Sequence, residues 1–152
     1  MAVTLFDNSW ETNATSAIGL IEQALVELGQ DPELCELDDP SVLKSWWFSH
    51  GSATVTVALR RRPGTPHLRI TTPVMTPAKA SDRAALHSEL LARNVELCGM
   101  AFGLDGDKVL MVSERSTLDL DRSEVVQLIG ELAREADAVD DALVARYGGR
   151  LG

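Results

Sequence analysis

The sequence predicts an α+β fold: an antiparallel sheet with helices gathered on one face, in the order α-β-β-β-α-β-β-α. Three observations carry this reading. Apolar residues recur every three to four positions near both ends and once in mid-chain. Between those stretches the period changes to two, as in strands with one buried face. Turn signals, Pro63-Gly64 and Asp105-Gly106 among them, separate the period-two runs. Strands so patterned bury their apolar face against helices, which gives a two-layer sandwich.

The first helix is expected over roughly 13–28, where Ala14, Ala17, Ile18, Ile21, Leu25 and Leu28 recur at helical steps. Thr12 or Asn13 supplies an N-cap oxygen, and Gly29 before Asp31-Pro32 is a stop signal. The acidic stretch Asp31 to Pro40 holds two prolines and reads as a connecting loop. Lys44 to Ser49 is a short aromatic strand, with His50-Gly51 as its turn. Ala53, Val55, Val57 and Leu59 alternate with polar residues, and Pro63-Gly64 closes that strand. Leu68, Ile70 and Thr72 continue the alternation until Pro73 and Pro77 end it.

A second helix starts near Ser81 and carries Ala84, Leu86, Leu90 and Leu97, with Gly99 on its far side. Met100, Phe102 and Leu104 then alternate with small residues, and the turn Asp105-Gly106 leads to Val109–Val112. Asp121 with Glu124 is a capping-box pattern. Behind it Val125, Leu128, Leu132, Ala136, Val139, Leu143 and Tyr147 mark a long amphipathic helix ending at Gly148-Gly149. A single domain over 12–147 is expected, with 1–11 and 148–152 as flexible ends.

Composition narrows the function classes. The chain has 152 residues, 45% of them hydrophobic, enough for one domain to bury a core without a metal or disulfide staple. Fourteen basic against 23 acidic residues leave a net charge of −9, which disfavours direct binding to nucleic acid or anionic membrane. The two cysteines, Cys35 and Cys98, form no ligand pair, so no disulfide framework, zinc module or other cofactor is expected. The N-terminus has no basic-then-apolar leader, and no apolar run is long enough to span a bilayer. A cytoplasmic location is the expectation.

No catalytic set is legible. His50, His67 and His87 have no second ligand at metal-binding spacing, and there is no nucleophile elbow, phosphate loop or dinucleotide fingerprint. Asp105-Gly106-Asp107 resembles the opening of a calcium loop but lacks the glutamate at the twelfth position.

Three features speak of surfaces that meet other chains. In the triplet Trp46, Trp47, Phe48, strand alternation turns at least one aromatic away from the core; the competing reading is a bulge or a covering loop. Trp46 and Phe48 share one parity and Trp47 the other: the preferred reading turns Trp47 outward, and the competing one puts Trp47 in the core with Trp46 and Phe48 outside. The strand Val109, Leu110, Met111, Val112 is apolar on both faces, which suits a dimer interface. Arg60, Arg61 and Arg62 form the one basic run: most simply a solvated hairpin tip, more sharply an anchor for an acidic partner.

The stretch Leu90-Leu91-Ala92-Arg93-Asn94, followed by Met100-Ala101-Phe102-Gly103-Leu104-Asp105-Gly106-Asp107-Lys108-Val109, resembles the YbjN-like family and the class I type III secretion chaperones. The shared pattern is a helix ending in asparagine, a strand with an aromatic-glycine pair, an acidic turn and a returning strand. The closing helix, with Asp121, Glu124 and Asp137 among apolar steps, is similar too. The resemblance spans roughly Thr12 to Tyr147 and implies a non-enzymatic homodimer of the bacterial cytoplasm that binds segments of a client protein. It brings no catalytic residues. An acidic rim on such a protein favours basic or neutral clients. The alternative is a regulatory, stress-response protein that senses a small ligand in the crevice between sheet and helices.

Overall fold

A computed structural model describes residues 5–152, with side chains from residue 9 onward. The elements are α1 (Leu5–Glu27), α2 (Pro32–Cys35), β1 (Glu36–Leu37), β2 (Lys44–His50), β3 (Ala53–Arg60), β4 (His67–Pro77), α3 (Arg83–Asn94), β5 (Ala101–Asp105), β6 (Lys108–Ser116), α4 (Arg122–Tyr147) and β7 (Gly149–Leu151). The expected order stands, with α2, β1 and β7 as short additions. The sheet runs β1-β2-β3-β4-β6-β5, every pairing antiparallel, and β7 joins it on β4.

Helices α1 and α4 pack together and cover one face of the sheet. Val55, Val57 and Leu59 of β3, Leu68 and Ile70 of β4, and Val109 and Met111 of β6 all point to that face and are buried. Opposite them lie Ile21 and Leu25 of α1 and Val125, Ile129, Leu132 and Leu143 of α4. The stripe on α4 is broader than the sequence spacing suggests. Ile129 and Ala133 are buried beside it, while Leu128, Val139 and Tyr147 pack at its margin. Its N-terminus closes with the expected reciprocal capping box between Asp121 and Glu124.

Five local expectations are corrected. Helix α1 begins well before Thr12, so neither Thr12 nor Asn13 is its cap. Its added turns are held by a distant hairpin: the Trp10 indole donates to the Arg62 carbonyl at 3.4 Å, and Arg61 lies 4.5 Å above its ring. The helix stops where expected. Gly29 at φ 78° allows Gly29 N–H to reach the Val26 carbonyl and Gln30 N–H the Leu25 carbonyl, a Schellman closure.

The acidic loop is partly ordered: Asp31 caps α2 by accepting from Glu33 N–H, and β1 pairs with β2. Strand β4 does not end at Pro73, because a register shift between Pro73 and Met75 absorbs the missing N–H and pairing resumes. The expected loose C-terminal end is instead strand β7, in register with Met75–Pro77. The opposite expected end, 1–11, lies partly outside the described residues, and what is described of it is helical. A finer shift occurs in the β5–β6 hairpin: Asp105 pairs with Lys108, so the two-residue loop is Gly106-Asp107. Gly106 alone takes a positive φ there, the pattern of a type II′ turn.

Candidate protein-interaction surfaces

Strand alternation divides the aromatic triplet. Trp46 and Phe48 are buried under the helices, whereas Trp47 is 50% exposed on the uncovered face. The pairing places Trp47 in a row with Thr56, Thr71, Val112 and Ala101 across five strands. Apart from the indole this row is built of small or β-branched residues. It therefore offers a shallow floor beside one large aromatic.

The expected interface strand is divided in the same way. Val109 and Met111 are fully buried in the core, so their side chains meet no second molecule. Leu110 and Val112 are half-buried on the uncovered face, opposite Gly103 and Ala101 of β5. Only those two of the four residues can reach a partner.

The two edges of the sheet differ. At β5, the Asn94 amide at the end of α3 clasps the edge: its Oδ1 accepts from Phe102 N–H at 2.7 Å and its Nδ2 donates to the Phe102 carbonyl at 3.3 Å. A strand cannot add there while Asn94 holds both groups. What this edge exposes is aliphatic, Leu91, Val95 and Leu104, and Leu91 and Leu104 line a cavity of about 350 Å³ together with His87, Leu90 and Phe102. At the other edge, β1 pairs only with Ser45 and Trp46 of β2. From Trp47 to His50, β2 has no strand on its outer side among the described residues, and the Ser49 carbonyl takes a long bond of 3.4 Å from Gln30 Nε2. That edge is open to strand addition next to an exposed tryptophan.

The basic run is also split. Arg61 turns to the helix side and stacks on Trp10. Arg60 and Arg62 turn to the uncovered face, where Arg69 of β4 joins them around the Glu114 carboxylate of β6. Burial opposes ionisation of Glu114, but hydrogen bonds from Arg69 and Arg62 and the charges of Arg60 and Arg62 outweigh it and hold its pKa at about 2. Sequence reasoning missed Arg69 and Glu114. Alternation alone put both on the outer face, since Leu68, Ile70, Val109 and Met111 point inward. The register that sets Arg69 opposite Glu114 is a long-range fact.

The remaining candidates stay apart. His50, His67 and His87 lie in three separate regions: the β2–β3 turn, beside Glu114, and on the α3–β5 cavity. No group of three or more potential metal ligands occurs among the described residues. Among those residues no helix is long and apolar enough to cross a membrane. A wider cavity of about 630 Å³ lies between β5 and α4, with Arg93, Glu96, Glu131 and Arg134 around an apolar floor of Leu97, Met100 and Val139.

A sequence model described as "T3SS (YopN, CesT) and YbjN peptide-binding chaperone 1", named TY-Chap1, matches residues 17–151. No curated protein sequence matches the chain. Among solved structures, the HopA1-SchA chaperone-effector complex contains a chain that superposes with a TM-score of 0.61 at 13% identity, over 86% of this chain and 97% of that one. A chain of the ExsC-ExsE complex gives 0.62 at 14% identity, over 85% and 94%. A chain from the structure of the Yersinia pestis type III secretion chaperone SycH with a fragment of YscM2 gives 0.57 at 18% identity, over 79% and 96%. At these identities the likeness is one of fold, and it matches the fold class read from the sequence.

Proposed function

The chain belongs to the TY-Chap1 family of peptide-binding chaperones, and on that premise we propose that it is a non-enzymatic protein that holds an extended segment of a client protein. The observation that supports this best is the open β2 edge from Trp47 to His50 beside the half-exposed Trp47 ring. Free backbone groups on an edge supply hydrogen bonds without regard to client sequence, and an adjacent aromatic supplies apolar contact. The structural neighbours named as complexes, HopA1-SchA and ExsC-ExsE, make a protein client the natural occupant. Its place of action in this reading is the cytoplasm.

The test combines client capture with hydrogen exchange. Trp47→Ala should keep the thermal stability of the parent and lose the client. Amides of 47–50 should become protected when a client segment is bound. Retained capture by Trp47→Ala, with no added protection on β2, would reject this edge as the binding site.

The same reading includes a homodimer, formed where the other edge exposes Leu91, Val95 and Leu104. Asn94 blocks strand pairing there, so a second copy would pack side chain to side chain against α3 and β5. Leu110 and Val112 are the members of the expected interface strand that such a contact can extend to. A stable pair buries about 1,200–2,000 Å² in total. Light scattering at micromolar concentration should give twice the 16.5 kDa chain mass. Val95→Asp with Leu104→Asp should halve it; a monomeric parent would overturn the dimer.

A further inference from the structure

Outside the Glu114 cluster, five of the chain's other arginines are matched by acids, Arg93 and Arg146 by the one carboxylate of Glu89. Arg115 pairs with Glu124, Arg122 with Glu27 and Arg83 with Asp107, while Lys44 has two carboxylates, Glu22 and Glu36. The cluster on the uncovered face is different. Arg60, Arg62 and Arg69 share the single carboxylate of Glu114, and no other acid lies within ion-pair distance of them among the described residues. Glu114 accepts N–H bonds from Arg60 Nη1 at 3.0 Å, Arg62 Nε at 3.0 Å, Arg62 Nη2 at 2.8 Å and Arg69 Nη1 at 2.7 Å. A carboxylate has about four lone-pair sites, so Glu114 is saturated, while each guanidinium has about five N–H donors and most remain unspent. Three cations against one anion leave a surplus of two positive charges.

The cluster is also held in place. Each guanidinium is oriented by Glu114, and the Trp10 indole ties down the Arg62 backbone at the hairpin tip. Donors fixed before binding lose little freedom when they engage, and guanidinium forks match carboxylates in a bidentate way. The arginine side chains remain about one-third or more exposed, so they can be reached from the uncovered face.

We propose that this arginine cluster is an anchor for an acidic stretch of the client protein, so that the client carries carboxylates beside its apolar strand-forming residues. The inference rests on the reading of the chain as a segment-binding protein and specifies the chemistry of the segment. It reverses the preference for basic or neutral clients suggested by the acidic surface. The chain's net charge of −9 disfavours anions in general, and the cluster is a place where an acidic segment finds a local surplus of donors. The anchor sets orientation, and the open edge beside Trp47 supplies the main-chain pairing.

The experiment measures fluorescence anisotropy of two rhodamine-labelled twelve-residue peptides, one alternating valine with aspartate and one with lysine in place of every aspartate. The full chain is expected to bind the aspartate peptide at least tenfold more tightly, with affinity falling as sodium chloride rises from 50 to 300 mM. Arg60→Gln with Arg69→Gln should weaken it about tenfold or more. Glu114→Gln, which frees the three arginines, should tighten it. This second variant decides the matter if the double variant does not fold. Equal binding of the two peptides, or no change in either variant, would overturn the anchor. Equal binding that still depends on Trp47 would overturn the anchor alone and leave segment binding standing. An oligothymidylate of twelve nucleotides that outcompetes the aspartate peptide at these arginines would also overturn it, in favour of a nucleic-acid surface.

Discussion

Residues that are neighbours in the chain are divided between the two faces of the sheet, and the faces carry different chemistry. On the covered side Trp46, Met111 and Ile70 are packed against α1 and α4 and have no access to solvent. One position along, Trp47, Val112 and Thr71 form part of a flat row that no helix covers. The covered face holds the fold together, whereas the uncovered face and the sheet edges hold the groups that can recognise another chain. Alternation lets one strand serve both ends without compromise, because a change on one face leaves the other's packing intact.

The sharpest way to break this comparison is to exchange adjacent tryptophans for alanine. Trp46→Ala opens a large cavity in the core and should cost about 3–5 kcal/mol, whereas Trp47→Ala should stay within about 0.5 kcal/mol. Urea denaturation of the two variants measures both. Trp46→Phe should cost much less than the alanine change, since the buried Trp46 indole N–H has no hydrogen-bond partner among the described residues. Comparable losses for Trp46→Ala and Trp47→Ala would mean that the uncovered face also carries stability.

The division into faces is what the sequence made most legible. The alternation that sets Trp47 against Trp46 and Phe48, the stripe on α4 and its Asp121–Glu124 box are local patterns, set by periods of two and 3.6 and by cap chemistry. What escaped depends on contacts between distant segments. The first turns of α1 lean on Arg61 and Arg62, some fifty residues away. Strand β7 and the continuation of β4 past Pro73 exist because each supports the other's pairing. Of the candidate site, the opposition of Trp47 to Trp46 and Phe48 and the basic character of the hairpin were readable; which parity faces outward was fixed only by the packing of the helices. The convergence of Arg60, Arg62 and Arg69 on Glu114 was not readable, because it follows from register.

A second comparison concerns where β4 ends. Gly149 adopts φ 120°, and a Cβ there would overlap the Thr76 carbonyl and lie 2.8 Å from Pro77 Cα. Gly149→Ala should therefore detach β7 and cost about 1–3 kcal/mol, visible in thermal unfolding and in faster exchange of the Thr76 region. Because the uncovered face near Trp47 is not involved, client capture per folded molecule should be unchanged. Lost capture in this variant would show that β7 contributes to binding.

The cap of α4 gives a smaller effect on the covering layer. Asp121 Oδ1 accepts from Glu124 N–H at 2.9 Å, and Glu124 Oε2 accepts from Asp121 N–H at 3.2 Å. Asp121→Ala removes the first and should lower stability by about 0.5–2 kcal/mol. Capture by the folded fraction should again be unaffected.

A small stability effect is also expected from the uncovered face itself, at Glu114. Its carboxyl is held at about 2 in the folded protein against an ordinary value of 4.5. A depressed carboxyl adds stability that is fully present above pH 4.5 and disappears as pH falls through about 2. Glu89, which accepts from Tyr147 Oη at 2.6 Å and from Arg93 and Arg146, is likewise held at about 2 and joins α3 to the end of α4. Both groups lose their contribution in the same acid window, so the parent melting temperature should fall steadily between pH 4.5 and 2. The arginines around Glu114 are partly solvated, so that cluster is worth about 0.2–1 kcal/mol and is screened by salt. Glu114→Gln should lower the melting temperature slightly at pH 7 and flatten part of the acid slope, most clearly at low ionic strength. The same substitution is expected to strengthen binding of an acidic peptide, so stability and binding should move in opposite directions. A variant that lost both together would place Glu114 in the structural layer and erase the distinction between the faces at this position.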